Sequence, residues 1–288
     1  MAYALGLAAA ARGKRAIVCE IASQERGSRL FERPAIGFNE TLIDEGLWAI
    51  SIDPERAIRE YLEVQLPIRA MSELLVRSRL FGPLAVATPG LQEMVTMGKV
   101  WELALARRKI AGAPRTYDLV IVDAPATGHG VGFLRTPANF REMARVGPLA
   151  HQASRIDETL RDHGSTGVAL VATAEEMAVN ETLELDAELS REGGFAIDRL
   201  FANALYPRRF SREEQERLER ASADHPAARG ALGAALEESR RADLQRLQLG
   251  RLRDGSPTPV AELPFIFASR IGAEELRVLA AEIEAGRG

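Results

Sequence analysis

The chain has 288 residues, of which 46% are hydrophobic and 27% are charged, and this composition is sufficient to bury a large core. With a formal net charge of −4, the chain lacks the excess of basic residues that is typical of nucleic-acid-binding proteins. We therefore expect one α/β domain, with or without an inserted lobe, and no nucleic-acid partner.

A single cysteine, Cys19, excludes an internal disulfide framework and a cysteine-rich metal site within one chain, which fits a reducing compartment. We expect Cys19 to be a small buried hydrophobe in a strand. The apolar run from Ala2 to Ala11 is about half as long as a membrane span, and positive charges follow it instead of preceding it as in a signal peptide. We expect a soluble, cytoplasmic protein.

In chain order, short apolar runs alternate with longer helical patterns, which is typical of parallel strands joined by crossover helices. The predicted strands are Ala16 to Ile21, Leu47 to Ile52, Tyr117 to Asp123, Gly167 to Thr173, Ile197 to Asn203 and Thr258 to Leu263. Their near-continuous hydrophobicity indicates strands that are covered on both faces. The pattern predicts a doubly wound, mostly parallel sheet with helices on both faces.

Two long segments interrupt this alternation. The first, Pro54 to Pro114, is predicted to be a helical insertion, with Lys99 on a solvated helix face. The second, Pro207 to Gly255, is predicted to be a solvated helical pair packed on the sheet. Its narrow apolar stripes comprise Leu218, Leu232, Leu244 and Leu247. A final helix is predicted over Ala273 to Ala285.

Asp123 directly follows a buried apolar strand and precedes a glycine-containing segment. Ligands of an open parallel sheet bind beyond the carboxyl ends of its strands, so Asp123 is expected to point into that crevice. In a phosphohydrolase such an Asp holds the magnesium shell, and the loop after it senses the terminal phosphate. The alternative is an Asp that caps the next turn, and its position alone does not separate the two.

The segment from Asp123 to His129 resembles the switch II signature D-T-A-P-T-G-H of ArsA-like ATPases. This family includes arsenite-pump ATPases and the ATPases that deliver tail-anchored membrane proteins. Asp123, Thr127, Gly128 and His129 match at the same spacing, whereas the triplet Ala124-Pro125-Ala126 departs from the usual centre. The resemblance implies a P-loop NTPase fold that binds ATP and Mg²⁺, with Asp123 at the metal and with Thr127 and Gly128 at the nucleotide.

The resemblance extends along most of the chain. Ser51 to Pro54 is similar to the family's second strand and helix start, and Glu176 to Thr182 is similar to its post-strand loop. Asn203 falls where the family places an adenine-reading Asn, and Leu263-Pro264-Phe265 resembles a second adenine-flanking loop. We therefore expect Asn203, Pro264 and Phe265 to contact the base.

The 288 residues lack the family's phosphate-binding loop, G-K-G-G-V-G-K-[ST], in which backbone N–H groups and a lysine surround the phosphates. Met1 to Leu7 resembles the interior of the helix that follows this loop. We expect about 20 further residues upstream, one strand and one loop. Without them, the chain is expected to bind nucleotide weakly and to hydrolyse it negligibly.

Switch I also departs from the family pattern, because an ungapped comparison places Ala22 where the family has a water-positioning Asp. Glu20, two residues earlier, is a candidate substitute base or second-shell magnesium partner. The alternative is a strand-end carboxylate that bonds local backbone, and the sequence leaves both open.

The resemblance also implies partners. The family's helical lobe couples nucleotide state to a hydrophobic client or a metalloid, and Leu66 to Met97 fits an adaptable apolar groove as well as an ordinary packed subdomain. A single cysteine disfavours a metalloid site and a C-x-x-C zinc clasp. Implied partners are a second copy or a paralogue in a dimer, and a hydrophobic protein client or a membrane. Two functions stay open, an ATPase and a non-enzymatic degenerate subunit paired with an active paralogue.

Overall fold

The computed structural model describes residues 1–21, 25–65, 89–105, 116–125, 128–143 and 147–286. The chain divides into two compact units, the first formed by Met1–Thr166 with Arg270–Glu284 and the second by Gly167–Ser269 with the chain end from Ala285. The predicted α/β class is confirmed, since parallel strands alternate with helices in each unit. The single domain over all 288 residues, with its insertion at 54–114, stays a prediction.

The described elements follow the predicted alternation. The strands are β1 (Ala16–Ile21), β2 (Thr41–Asp44), β3 (Leu47–Ile52), β4 (Leu119–Asp123), β5 (Val168–Thr173), β6 (Ile197–Leu205) and β7 (Val260–Pro264). The helices are α1 (Ala2–Ala11), α2 (Gly27–Leu30), α3 (Pro54–Gln65), α4 (Leu91–Ala104), α5 (Gly128–Met143), α6 (Pro148–Arg161), α7 (Glu176–Glu188), α8 (Arg212–Asp224), α9 (Arg229–Gly255) and α10 (Ala273–Ala285).

The first unit contains a sheet with the order β2-β3-β1-β4, in which β1 pairs in parallel with β3 and β4. Side chains alternate between its faces. Ile17 and Cys19 pack with Met94 of α4, whereas Val18 lies on the other face near Gly6 of α1. Helices therefore cover both faces of this sheet, and Cys19 is the buried strand residue that was predicted.

The antiparallel edge strand β2 was not predicted. Its four residues, Thr41–Asp44, alternate polar and apolar side chains too briefly to give a strand pattern, and the hairpin to β3 depends on Gly46 at a φ of 70°.

The second unit contains the parallel order β5-β6-β7, so the described strands form two hydrogen-bonded sheets, one in each unit. The predicted helical pair is confirmed as α8 and α9. The predicted apolar stripe is partly wrong, because Leu244 and Leu247 are each 63% exposed. The buried face of α9 instead carries Leu249 and Leu252, which fall at helical spacing from one another.

Two further findings concern the helices. Within the described ranges, no helix has both the length and the apolar character that crossing a membrane requires. The prediction of a solvated Lys99 is wrong, since its side chain is 8% exposed and pairs with Glu60 of α3 and Glu102 of α4. One carboxylate from α3 and one from the next turn of α4 make this burial possible.

Gly6 allows α1 to approach the sheet closely. A Cβ atom at this position would lie 2.6 Å from Leu47 Cδ1 and 3.4 Å from Val18 Cγ2, and both side chains are fully buried. We predict that Gly6→Leu lowers the free energy of unfolding by about 1–3 kcal/mol through overpacking. The matched control is Gly233→Leu in α9, where an added Cβ meets no atom within 4 Å. Urea denaturation should show the control to be unchanged or slightly more stable, because leucine favours a helix. Equal stability of the Gly6 variant and the natural chain would contradict the prediction.

Candidate functional site

Three polar side chains lie level with one another at the carboxyl ends of adjacent parallel strands. Glu20 of β1 is in register with Ser51 of β3 on one side and with Asp123 of β4 on the other. Residues in register on neighbouring strands share a face of the sheet. The structure therefore brings Glu20 and Asp123 together at the edge where parallel sheets bind ligands.

The Glu20 carboxylate is buried, with the residue 2% exposed. Its Oε1 atom accepts hydrogen bonds from the backbone N–H groups of Arg26, at 2.8 Å, and Gly27, at 2.9 Å. Its Oε2 atom has no hydrogen-bond partner among the residues that the structure describes. Glu20 thus has one oxygen bound to the start of α2 and one buried oxygen without a partner in the described part of the chain.

Tyr3 of α1 lies against this carboxylate because position 27 has no side chain. A Cβ atom at Gly27 would lie 2.1 Å from the Tyr3 hydroxyl oxygen and 2.7 Å from Ile36 Cδ1. The hydroxyl is close enough to Glu20 to lower the pKa of that carboxyl, although the geometry falls short of a well-formed hydrogen bond. Helix α1, strand β1 and the α2 turn therefore meet at one buried polar contact.

Burial dominates the protonation of this contact. Loss of solvation raises the pKa of Glu20 and is the largest effect, and the nearby charge of Asp123 raises that pKa further. The N–H groups of Arg26 and Gly27 and the Tyr3 hydroxyl lower it. Burial also raises the pKa of Tyr3, and the neighbouring Glu20 charge adds to the effect. Tyr3 is consequently a neutral phenol, and Glu20 holds a proton more readily than an exposed glutamate.

Asp123 is more accessible than Glu20, with a side chain that is 35% exposed. Its Oδ2 atom lies 3.8 Å from Arg26 Nη1. Helix α1 begins nearby, since Tyr3 in its first turn lies against Gly27, the residue that follows Arg26. The positive end of the helix dipole and the Arg26 guanidinium therefore lie beside the Asp123 carboxylate.

These residues fit a magnesium ion that is bound together with a phosphate ligand. Mg²⁺ commonly uses one or two protein carboxylates and completes its octahedral shell with waters and substrate phosphates. Asp123 is exposed enough to contribute directly, and the unpaired Glu20 Oε2 atom lies on the same face. No cluster of three acidic, His or Cys residues occurs in the described ranges, so this part of the chain does not form an all-protein metal cage.

The remaining predicted residues of this unit are partly described. Gly128 is the first residue of α5, so the segment after β4 is short, and His129 is exposed in the first turn. Thr127 and Ala22 lie outside the described residues.

The second unit carries the predicted base-contacting residues. Asn203 is in register with Thr173, the last residue of β5, and Pro264 ends β7 in register with Leu205. The carboxyl ends of β5, β6 and β7 thus share an edge of their sheet. The loop predicted over Glu176 to Thr182 is wrong, since these residues form α7, which Glu176 begins with a favourable acidic first turn.

An irregularity follows Asn203 directly. The register between β6 and β7 shifts between Ala202 and Leu205, and Ala204 has a φ of 60°. Gln245 of α9, 5% exposed, holds this turn from both sides. Its Oε1 atom accepts from the Tyr206 N–H at 2.8 Å, and its Nε2 atom donates to the Ala204 carbonyl at 3.0 Å. The bulge ends the regular pairing after Asn203.

An aromatic cluster flanks Pro264. The rings of Phe265 and Tyr206 stack with centroids 4.5 Å apart, and the Phe267 ring packs edge-on against Phe265 at 4.9 Å. The guanidinium groups of Arg241 and Arg209 lie over Tyr206 and Phe267, respectively. Flat aromatic faces and planar cations are suited to stacking against a ring system.

The sequence did not identify three residues that build these surroundings: Tyr3, Arg26 and Gln245. The sequence pattern could have indicated Gln245, because it lies on the same buried face of α9 as Ala242, Leu249 and Leu252. A polar residue on such a face usually has a buried partner. No pattern indicated Tyr3 or Arg26, since their contacts depend on the packing of α1 and α2.

Comparison with known proteins gives consistent matches. The sequence profile described as anion-transporting ATPase matches residues 1–152. ATPase BagA from Mycobacterium tuberculosis is 30% identical over 201 residues, which cover 66% of this chain and 57% of that protein, and an ATPase from Mycobacterium bovis matches equally. An arsenical pump-driving ATPase from Halobacterium salinarum is 25% identical over 189 residues, 62% of this chain and 29% of the relative. The chain thus spans little more than half of the mycobacterial relatives.

Burial of Glu20 gives a testable effect of pH. We predict that Glu20→Gln raises the free energy of unfolding at pH 8, because the amide keeps an acceptor for Arg26 and Gly27 without a buried charge. Since the folded pKa of Glu20 is raised, the natural chain loses stability as the pH rises from the unfolded value through the folded one. The advantage of glutamine should grow over that interval and level off below about pH 4.

Urea denaturation at a series of pH values measures this difference. Glu20→Ala is the control, expected to be less stable by about 1–3 kcal/mol because the two N–H groups lose their acceptor. A glutamine variant that is less stable than the natural chain at pH 8 would show that the ionised carboxylate is favourably paired.

Proposed function

We propose, from the premise that this chain belongs to the anion-transporting ATPase family, that its protein binds Mg-ATP and couples ATP hydrolysis to the handling of an anion or a client. The observation that carries the proposal is the pairing of Glu20 and Asp123 on adjacent strands at the carboxyl edge of a parallel sheet. Doubly wound sheets bind nucleotides at this edge.

Asp123 is proposed to hold the magnesium shell. A magnesium ion held by Asp123 would supply neutralisation of the charge that develops during phosphoryl transfer. Asp123 fits this role because its carboxylate is accessible at the strand end and is not buried in an ion pair. The Arg26 guanidinium, 3.8 Å away, is a second group positioned to approach a phosphate from the same side.

Glu20 is proposed to accept the proton of the attacking water. A carboxylate whose pKa is raised by burial is a stronger base than an exposed one, which suits general base catalysis near neutral pH. Its Oε2 atom, which has no hydrogen-bond partner in the described part of the chain, is the atom assigned to this role. Glu20 would thereby take the role of the Asp that the family has at the position of Ala22.

Asn203, Pro264 and Phe265 are proposed to bind adenine, with Thr127 and Gly128 at the terminal phosphate. The amide of Asn203 offers a donor and an acceptor to the base edge, and Pro264 with the stacked Phe265 supplies a flat apolar surface. Support comes from the location of these residues at the carboxyl edge of β6 and β7.

The 288 residues contain no G-K-G-G-V-G-K-[ST] loop, and Lys99, one of three lysines, is committed to Glu60 and Glu102. We propose that residues upstream supply the loop and that the 288 residues alone bind ATP weakly and hydrolyse it negligibly.

A second candidate function is a degenerate subunit that pairs with an active paralogue, and the Ala22 replacement favours it. The proposed partners are a second copy or that paralogue and a hydrophobic protein client or a membrane.

The role of Asp123 can be tested by isothermal titration calorimetry on a protein extended upstream in the same reading frame. We predict Mg-dependent ATP binding that Asp123→Asn weakens by about 10–100-fold in the presence of Mg²⁺, with little effect in its absence. Asp118→Asn is the matched control, because Asp118 pairs with Arg15 just before the start of β4.

One outcome would count against the ATPase, and another would count against the upstream loop. Absence of tight, Mg-dependent binding by the extended protein would favour the degenerate subunit. Robust ATP turnover by the 288 residues alone would overturn the need for an upstream loop.

Base recognition is tested separately. We predict that Asn203→Ala in the extended protein reduces the preference for ATP over GTP by about three- to tenfold, because the base edge loses a hydrogen-bonding partner. Asn180→Ala in α7 is the control, since the Asn180 side chain is exposed and accepts from Arg251 of α9. Competition binding with the two nucleotides measures the preference, and an unchanged ratio in the Asn203 variant would remove this residue from the site.

A further inference from the structure

Gln245 of α9 holds the chain directly after Asn203, a residue assigned to the base. Its amide accepts from the Tyr206 N–H and donates to the Ala204 carbonyl, so the bulge is held from both sides. Because Gln245 is 5% exposed, both hydrogen bonds are shielded from water and are stronger for it. The end of β6 is therefore fixed by a side chain of α9 in addition to its pairing with β7.

The same bulge also contacts the end of β7. The Leu205 carbonyl accepts from the Phe265 N–H at 2.9 Å, and Leu205 is in register with Pro264. The Tyr206 ring stacks on the Phe265 ring, with an angle of 20° between their planes. Pro264 and Phe265, the apolar surface assigned to the base, thus pack against the residues that Gln245 holds.

The two contacts of Gln245 require a side chain with both a donor and an acceptor. Tyr206 offers an N–H group, whereas Ala204 offers a carbonyl. A primary amide satisfies both at once, an ionised glutamate has no donor, and a methionine of similar length has neither an N–H nor a strong acceptor. Loss of the amide would leave two polar groups without these partners beside a residue at a φ of 60°. Such a residue keeps its conformation only while its surroundings hold it.

The alignment of the Asn203 amide with the apolar surface determines what the site can recognise. An amide reads a base edge through one donor and one acceptor, and both lose strength when they leave the plane of the base. Gln245 fixes the backbone next to Asn203 and also the residues that Phe265 packs against. A change at Gln245 would therefore disturb this alignment without removing any group that contacts the base.

We propose that Gln245 is a positioning residue for base selectivity: by fixing the bulge after Asn203, it aligns the Asn203 amide with the edge of adenine and disfavours guanine. This inference rests on the proposed function, in which Asn203, Pro264 and Phe265 bind the base. It extends that function by assigning part of the selectivity to a helix residue that acts through Asn203. Selective sites depend on such supporting hydrogen bonds.

Amide hydrogen exchange tests the structural step on the 288-residue chain without nucleotide. In Gln245→Met we predict that the Tyr206 amide exchanges about tenfold faster or more, because its acceptor is lost. Gln215→Met is the matched control, since Gln215 of α8 is also a partly buried glutamine and bonds Asp243 of α9. It should leave the exchange of Tyr206 unchanged. Equal exchange of this amide in Gln245→Met and the natural chain would overturn the proposal.

Competition binding of ATP and GTP to the protein extended upstream tests the selectivity. Gln245→Met should lower the preference for ATP about three- to tenfold, as Asn203→Ala does, and Gln215→Met should not. The double variant of Asn203→Ala with Gln245→Met should show no further loss, because Gln245 acts through the Asn203 amide. A purely structural role would weaken the binding of both nucleotides alike and leave their ratio unchanged, and that result would overturn the proposal.

The outcomes separate this inference from the proposed function. An unchanged ratio in Asn203→Ala would reject the base site and the role of Gln245 in selectivity with it. A lowered ratio in Asn203→Ala together with an unchanged ratio in Gln245→Met would overturn the inference alone. Circular dichroism checks that each variant is folded. Gln245→Glu is the second variant if the methionine variant does not fold, because it keeps the acceptor for Tyr206 and loses only the donor to Ala204. The same fall in the ratio is expected for it.

Discussion

Burial of the Glu20 carboxylate is the interaction on which the ligand edge of the first unit depends. Strand β1 lies between β3 and β4, so a carboxylate near its end is buried by its neighbours. Such burial is unfavourable unless other elements supply hydrogen-bond donors. The α2 turn supplies two backbone N–H groups, and α1 brings Tyr3 against the carboxylate. Arg26 links the two acidic residues, because its N–H donates to Glu20 while its guanidinium lies near Asp123. The start of α2 is therefore linked through Arg26 to the charge at the end of β4.

The second unit uses a buried polar side chain for a different purpose. A non-glycine residue at positive φ, such as Ala204, is unfavourable by about 1–3 kcal/mol and persists only where its surroundings hold it. Gln245 does so by bonding the backbone on both sides of the bulge. The result is a strand end at which Asn203 is followed at once by an irregular turn. In both units, a polar group taken out of water fixes the backbone next to the residues assigned to ligand binding.

The sequence predicted local features better than contacts. Continuous apolar runs predicted both ends of β1 and β3 correctly, because strands that are buried on both faces are apolar throughout. The helix Ala273–Ala285 was also predicted correctly, because burial of one face leaves a regular pattern. The pairing of Glu20 with Asp123 followed only from strand order, which local pattern does not specify. Lys99 was misjudged because its carboxylate partner Glu60 lies in another helix. Family resemblance named Asp123 and Asn203, whereas their supporting residues required coordinates.

The contact between Tyr3 and Gly27 constrains how this protein can change over evolutionary time. Any side chain at position 27 would overlap the Tyr3 hydroxyl, so it becomes tolerable only after the ring at position 3 has been replaced. Loss of that ring in turn leaves space beside the Glu20 carboxylate that water can enter. The order of substitution is therefore restricted: position 3 changes first, hydration of the acidic pair follows, and only then can position 27 diversify.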